Sequence, residues 1–315
     1  MSGLTRRRFV SIAAAAVAVS TGGAFAYAPR SVLWRGIALG ARAEIRIDGL
    51  DGDEADEIFA ACRHEIDRLE DLFSLYRTDS AIARLNRDGV LADPDPEFLA
   101  LLSTAASVHR STGGRFDPTV QPLWDAYAKL HSKSAERDYD GAGAIAEIFG
   151  SRVGFEHLRF GPAEVAFQRP GMALTLNGIA QGYITDKVSD LLRRMGMRHV
   201  LVNAGELRAL DGRSDGSAWP VRINGIGGMA TGRAVLLNNR ALATSATSGT
   251  TFDGAGRYGH ILDPRVGKPA PRGRQVTVEA PTATLADALS TAFCLMSEKE
   301  AVAALDAFPG AHFHV

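Results

Sequence analysis

Residues 165–202 read VAFQRPGMALTLNGIAQGYITDKVSDLLRRMGMRHVLV, and the pattern changes twice within them. Over 165–176 two apolar runs flank Arg169-Pro170-Gly171, which spells a hairpin with its turn at that tripeptide. Residues 179–195 read as a helix closed by Gly196. Val200-Leu201-Val202 then reads as a short buried strand. Hairpin, helix and strand in that order predict an α+β fold of mixed or antiparallel sheets with packed helices, not a doubly wound sheet. No G-x-G-x-x-G follows an opening strand, which argues against a dinucleotide-binding Rossmann domain.

The rest of the chain extends the same alternation. Residues 34–47 have extended character, and Ala43-Glu44-Ile45-Arg46-Ile47 alternates. Residues 53–73 form a strong helix, because Ile58, Cys62, Ile66, Leu69 and Phe73 recur at three- and four-residue steps. Residues 74–86 read as a polar junction and 93–96 as a turn. A second helix covers 97–111, with Phe98, Leu101, Leu102, Ala105 and Val108 on one side and Gly113-Gly114 as its stop. Residues 129–144 are charged and glycine-bearing, a surface excursion. Residues 219–247 alternate short strands with glycine turns, and 259–262 and 275–279 are further strands. A last helix covers 284–296, capped by Thr282 or Thr284. There is no internal repeat and no long linker.

Composition narrows the function classes. The chain has 315 residues, 46% hydrophobic and 23% charged, which excludes a collagen-like or wholly disordered protein. Its 35 basic and 36 acidic residues leave a formal net charge of -1, so no whole-chain basic excess points to nucleic acid. Two cysteines, Cys62 and Cys294, exclude a disulfide framework and a cysteine-built zinc or iron–sulfur centre. Each lies in a helical apolar pattern and reads as a buried small hydrophobe. The start of the chain reads as an address. Thr5-Arg6-Arg7-Arg8-Phe9 precedes an alanine-rich apolar stretch to about Ala26, and small-x-small patterns occur at Ala24-Phe25-Ala26 and Ala26-Tyr27-Ala28. The paired arginines suggest the twin-arginine route. Residues 1–28 are therefore expected to be an export signal, and 29–315 a single mature unit in the periplasm. The alternative is an uncleaved anchor, for which this alanine- and serine-rich stretch is short and weak.

Four clusters have chemical potential. In the last helix Asp287, Ser290 and Thr291 stand three and four residues apart on one face of an apolar element. Hard oxygen donors at that spacing suit Mg²⁺ bridging to substrate phosphates. The alternative is that Asp287 bonds a nearby backbone group or arginine. In the second cluster, residues 174–183, a strand enters a helix through Asn177-Gly178; Gly178 permits close approach of a ligand or ion, and the helix start favours phosphate. A plain strand–turn–helix joint is the other reading. The third is Gly259-His260-Ile261-Leu262-Asp263-Pro264, where His260 is either structural or a general base. The fourth, residues 112–124, reads by itself as a helix stop and loop.

Together and in this order, these segments resemble the ApbE family, the FAD:protein FMN transferases. The matching segments are Phe73-Ser74-Leu75-Tyr76 with Ser80 and Leu85-Asn86, residues 112–120 and 176–186, and Val202-Asn203-Ala204-Gly205. They continue with Ala243-Thr244-Ser245, residues 260–267, and residues 286–291. Asn177-Gly178-Ile179-Ala180-Gln181-Gly182, the twin-arginine signal and the Ala-Thr-Ser-Ala segment are similar to the NosX branch, which is associated with nitrous oxide reduction. The resemblance implies an ApbE-like α+β fold and an enzyme that binds FAD and Mg²⁺, breaks the pyrophosphate and releases AMP. FMN then goes to a Thr or Ser hydroxyl of an acceptor protein with the motif Asp-Gly-x-Ser/Thr-Gly-Ala/Ser-Thr, here a periplasmic and NosR-like membrane protein. Membrane contact would come only through that acceptor. The resemblance assigns Asp287 and the Thr291 side chain, and Gly178 and Ser290 through their backbone, to the metal. It assigns Leu39, Tyr76, Trp124, Thr175, Gln181 and His260 to FAD, with Asp287 and His260 as catalytic candidates. Thr175 stands where many members carry Asp, Gln181 where many carry Lys or Glu, and Glu206 where a second glycine is common. Two further readings share the pocket: a flavin-binding maturation factor without turnover, and an FAD pyrophosphatase.

Overall fold

The structure, a computed structural model, describes residues 16–18, 31–132 and 141–315. The expected export segment lies outside the described residues except for Ala16–Ala18, and so do residues 133–140 of the expected surface excursion. In chain order the first half contains β1 (Ala16–Ala18), β2 (Ser31–Ala38), β3 (Ala41–Asp48), α1 (Gly52–Phe73), α2 (Ala81–Asp88), β4 (Val90–Ala92), α3 (Pro96–Ser111), α4 (Gln121–Leu130), α5 (Gly141–Arg152), β5 (Leu158–Phe160) and β6 (Glu164–Phe167). The second half contains α6 (Ala180–Arg194), β7 (Val200–Asn203), β8 (Leu207–Leu210), β9 (Trp219–Asn224), β10 (Ala230–Leu237), β11 (Ala241–Ala246), β12 (Leu262–Asp263), β13 (Lys268–Pro269), β14 (Gln275–Ala280), α7 (Ala283–Phe293), α8 (Glu298–Leu305) and β15 (His312–His314).

A seven-stranded sheet in the order β15-β14-β11-β8-β7-β3-β2 forms the centre, and every neighbouring pair is antiparallel. The expected α+β architecture is therefore present. The short apolar run Val200-Leu201-Val202 is explained by burial on both faces. Val200 and Val202 join the core under α1, α6 and α7, while Leu201 packs with Leu207, Leu242 and Trp219 of the β9–β10 ribbon on the other side. The helical core closes around Phe73, which stacks on Phe98 at 5.9 Å and meets Tyr183 edge-on at 5.5 Å. A smaller cluster of Leu123, Tyr127, Val153 and Leu262 seats α4 and α5.

Most of the expected elements are present, with α7 capped by the Thr282 hydroxyl, which accepts from Leu285 N. Several expectations differ. The segment read as a helix stop and loop over 112–124 runs into α4 from Gln121, and residues 141–144 of the expected surface excursion begin α5. The polar junction after α1 contains the two-turn helix α2, started by the Ser80 side chain and ended by Gly89 at φ 77°. The hairpin expected over 165–176 lies earlier, with β5 pairing β6. Residues 172–176 form no strand and 177–179 turn into α6; Asn86 takes the place of a strand partner, since Leu174 N donates to Asn86 Oδ1 (2.7 Å) and Asn86 Nδ2 donates to Leu174 O (2.8 Å). Around 259–262 only Leu262–Asp263 is strand, after a bridge between Thr251 and Gly259. Both cysteines are buried and free, and burial pushes each thiol up to about 12. Among the described residues no helix is long and apolar enough to cross a membrane.

Candidate active site

The helical core, the central sheet and the 112–124 segment leave between them a cavity of about 1120 Å³, large against the ~300–1,000 Å³ of most ligand clefts. Tyr76, Trp124, Thr175, Gly178, Gln181, His260, Asp287 and Thr291 all line it, although they come from separate stretches of chain. Leu39 and Ser290 do not.

The floor is built by α6 crossing α7. Gly182 makes that crossing possible, since a Cβ there would lie 2.2 Å from the Ala283 carbonyl oxygen. The close approach lets Gly182 N donate to Asp287 Oδ2 at 3.0 Å. Asp186, one turn further along α6, accepts from Ala283 N and Thr284 N at the start of α7 and fixes its angle. Asp287 is 3% exposed, and burial pushes its carboxyl up to about 7. Glu206, on the turn between β7 and β8, faces the same cavity and is also buried. Burial, then the Asp287 charge, raises it well above its ordinary value, and Thr244 N gives it one hydrogen bond at 3.3 Å. No basic side chain offsets either carboxylate among the described residues.

Beside these carboxylates lies a chain of hydroxyls. Ser245 Oγ is 2.7 Å from Ser290 Oγ and 3.2 Å from Thr291 Oγ1, and Ser290 Oγ donates to the Asp287 carbonyl (2.9 Å). The Ser290 side chain is thus turned into the protein. Gly178 closes on this group from the other side: a Cβ there would stand 3.1 Å from Thr291 Oγ1. Among the described residues no cluster of three or more His, Cys, Asp or Glu side chains is gathered for a metal. The donor set nevertheless fits Mg²⁺: two buried carboxylates in need of a cation, hydroxyl oxygens, and a cradle that a side chain at 178 would fill. A cation here would complete its shell with backbone and ligand oxygens.

The walls are held by polar locks. Asp117 Oδ1 accepts from Thr119 N (2.8 Å) and Thr119 Oγ1 (2.7 Å), and its Oδ2 accepts from Phe155 N (3.1 Å). That lock presents Phe116 and Pro118, then Trp124 from α4, whose indole meets Phe252 edge-on at 5.3 Å. Thr175 N donates to Pro118 O (2.8 Å), which ties the 171–179 segment to the same wall. Gln181 is 6% exposed and lies under Gly205, whose φ of 107° and missing side chain admit it. At the rim, Leu39 takes φ 46° at the β2–β3 turn and donates its N–H to Glu70 Oε1 (2.6 Å), while Glu70 also holds Arg77 (2.5 Å). Leu39 thus supports the hairpin tip, from which Ile37 and Gly40 reach the cavity. Tyr76 is 56% exposed at that rim, and its phenol is pushed up to about 12 by its surroundings, so it stays neutral.

His260 Nδ1 lies 3.0 Å from Thr250 O. A carbonyl only accepts, so Nδ1 carries the proton and Nε2 holds the free lone pair. Burial lowers its pKa below the ordinary 6.5, so the ring is neutral at pH 7. Ser245 and Asp117 are site residues that the sequence alone does not single out, and Glu206 is one it names only as a departure from the family pattern. For Ser245 the signal is its Ala243-Thr244-Ser245 segment; for Glu206 it is the departure from a Gly-Gly pair.

With this geometry in view, comparisons with known proteins give the family. Residues 39–313 match the model described as ApbE family, and the chain belongs to that family. The FAD:protein FMN transferase of Treponema pallidum is 31% identical over 277 residues, covering 81% of this chain and 74% of that protein. That of Vibrio cholerae is 30% identical over 257 residues, covering 77% and 75%. Among solved structures, the ApbE protein of Thermotoga maritima superposes with a TM-score of 0.78 at 27% identity, over 90% of this chain and 93% of that one. The apo flavinyl transferase ApbE of Pseudomonas stutzeri gives 0.73 at 25% identity, over 88% of each.

Proposed function

We infer that the cavity takes FAD and that the chain is an FAD:protein FMN transferase. The observation that carries this reading is the convergence on one cavity of an aromatic wall, a neutral histidine and an oxygen-rich floor with two uncompensated carboxylates. Leu39, Tyr76, Trp124, Thr175, Gln181 and His260 are assigned to FAD, with Leu39 acting through the hairpin tip. Asp287 and Thr291 with their side chains, and Gly178 and Ser290 with their backbone, are assigned to Mg²⁺. Bound there, the cation supplies charge neutralisation for phosphate oxygens.

The acceptor's Thr or Ser oxygen attacks the FMN phosphorus. The new P–O bond forms as the P–O bond to AMP breaks, and AMP leaves with that electron pair. The hydroxyl proton passes to His260 Nε2, the lone pair left free by the Thr250 bond. Gly182 N–H fixes the Asp287 carboxylate throughout. The working site is the periplasm, reached by the twin-arginine route with residues 1–28 as signal. The acceptor is a NosR-like membrane protein, in keeping with the NosX-like features of the sequence. The test is a mass and nucleotide measurement on an acceptor fragment carrying the Asp-Gly-x-Thr-Gly-Ala-Thr motif, incubated with FAD and Mg²⁺. The expected result is a fragment heavier by one FMN phosphoester, with one AMP per fragment. AMP release that ignores the fragment would make the chain a pyrophosphatase, and FAD binding without AMP would make it a flavin carrier.

A further inference from the structure

Next to the flavin cavity lies a second depression of about 610 Å³ that none of the site residues above enters. It shares Gly225, Ile226 and Gln275 with the first cavity, so the two compartments meet along one wall. That wall is braced where Gln275 Nε2 donates to Asn224 O across 2.7 Å. The charge of the second compartment is one-sided. Arg233, Arg272 and Arg274 line it against the single acidic side chain Glu298, in a chain whose formal net charge is -1. Two of its lining residues also carry an inward nitrogen, Arg274 Nε and His314 Nε2, with no hydrogen-bond partner among the described residues. Arg233 is held by the Val315 main-chain oxygen (2.7 Å), and Arg272 is exposed.

We propose that this arginine-lined groove docks an acidic stretch of the acceptor polypeptide and presents the neighbouring hydroxyl to the flavin cavity. The proposal rests on the transferase reading for its partner, and on the groove for its chemistry. Arginine forks match carboxylate geometry. A basic rim steers an acidic partner and fixes its register. The shared wall of Gly225, Ile226 and Gln275 sets a chain lying in the groove directly beside the proposed flavin cavity.

The test uses two fluorescein-labelled acceptor fragments with the Asp-Gly-x-Thr-Gly-Ala-Thr motif, one flanked by glutamates and one by glutamines. Anisotropy titrations on the FAD-loaded full chain should show the glutamate fragment binding about tenfold tighter at low salt, with the preference fading as salt rises. The double variant R233E/R272E should lose that preference while its FAD affinity stays at the starting value. Equal binding of both fragments, or a preference that survives the double variant, would overturn the proposal. The two readings fail separately. Charge-selective binding without FMN transfer would sink the transferase assignment and leave the groove standing. Equal transfer to both fragments without charge selectivity would sink the groove and leave the transferase.

Discussion

Asp287 and Glu206 are two carboxylates buried in one cavity, and each is held above its ordinary pKa chiefly by that burial. Such a pair demands a proton or a cation between the two side chains. Replacing Glu206 with Gln removes half of the negative charge without changing the shape. The expected result is Mg²⁺ binding weaker by about tenfold in calorimetry, the scale seen when groups around a metal are changed; unchanged affinity would remove Glu206 from the cation's surroundings. At His260 the sign of the pH effect is set by burial. Its pKa lies below 6.5, so the neutral base persists through pH 7, and any stability owed to the neutral ring is lost only as pH falls below 6.5. With Mg²⁺ saturating, so that the buried carboxylates are held ionised, the limb of single-turnover transfer that belongs to His260 should lie below pH 6.5. A limb centred above pH 6.5 that H260Q removes would contradict this. Asp287 and Thr291 are legible in the sequence because helical spacing puts them on one face. Glu206 is not, because the Asp287 charge that gives it meaning lies on a different element.

At the scale of elements, the crossing of α6 and α7 sets the floor of the site. Gly182→Ala places a Cβ 2.2 Å from the Ala283 oxygen and 2.8 Å from Thr284 Cα, both backbone atoms that cannot swing aside. The helices must part, at a cost of about 1–3 kcal/mol, and the 3.0 Å bond from Gly182 N to Asp287 goes with them. Calorimetry should find a melting temperature lower by about 2–5 °C together with weaker metal binding. An unchanged transition would mean that the crossing is looser than described. Elements with a long period were readable: α1, α3, α6 and α7 follow from their apolar spacing. The two-turn helix α2 was not, because eight residues give too few repeats. Residues 172–176 misled because Leu174 in their middle pairs with the Asn86 side chain instead of a strand.

For the whole molecule, the antiparallel sheet has a different cover on each side. Helices α1, α6 and α7 pack on one face, and the β9–β10 ribbon with Trp219 packs on the other. The mixture of hairpins and helices made that class readable, whereas the strand order β15-β14-β11-β8-β7-β3-β2 depends on pairings between distant segments that no local pattern encodes. The same holds for the site. Its residues are scattered from Leu39 to Thr291, and only the ordered family motifs tied them together before the fold did. On the function proposed above, one buried carboxylate on α7 and the cation assigned to it make the site transfer FMN. In-gel flavin fluorescence of a motif-bearing acceptor fragment, incubated with FAD and Mg²⁺, tests it most directly when the natural chain, Asp287→Ala and a chelator control run side by side. The account predicts a denaturation-resistant fluorescent band for the natural chain alone. A band of equal strength with Asp287→Ala, or in the presence of chelator, would contradict it.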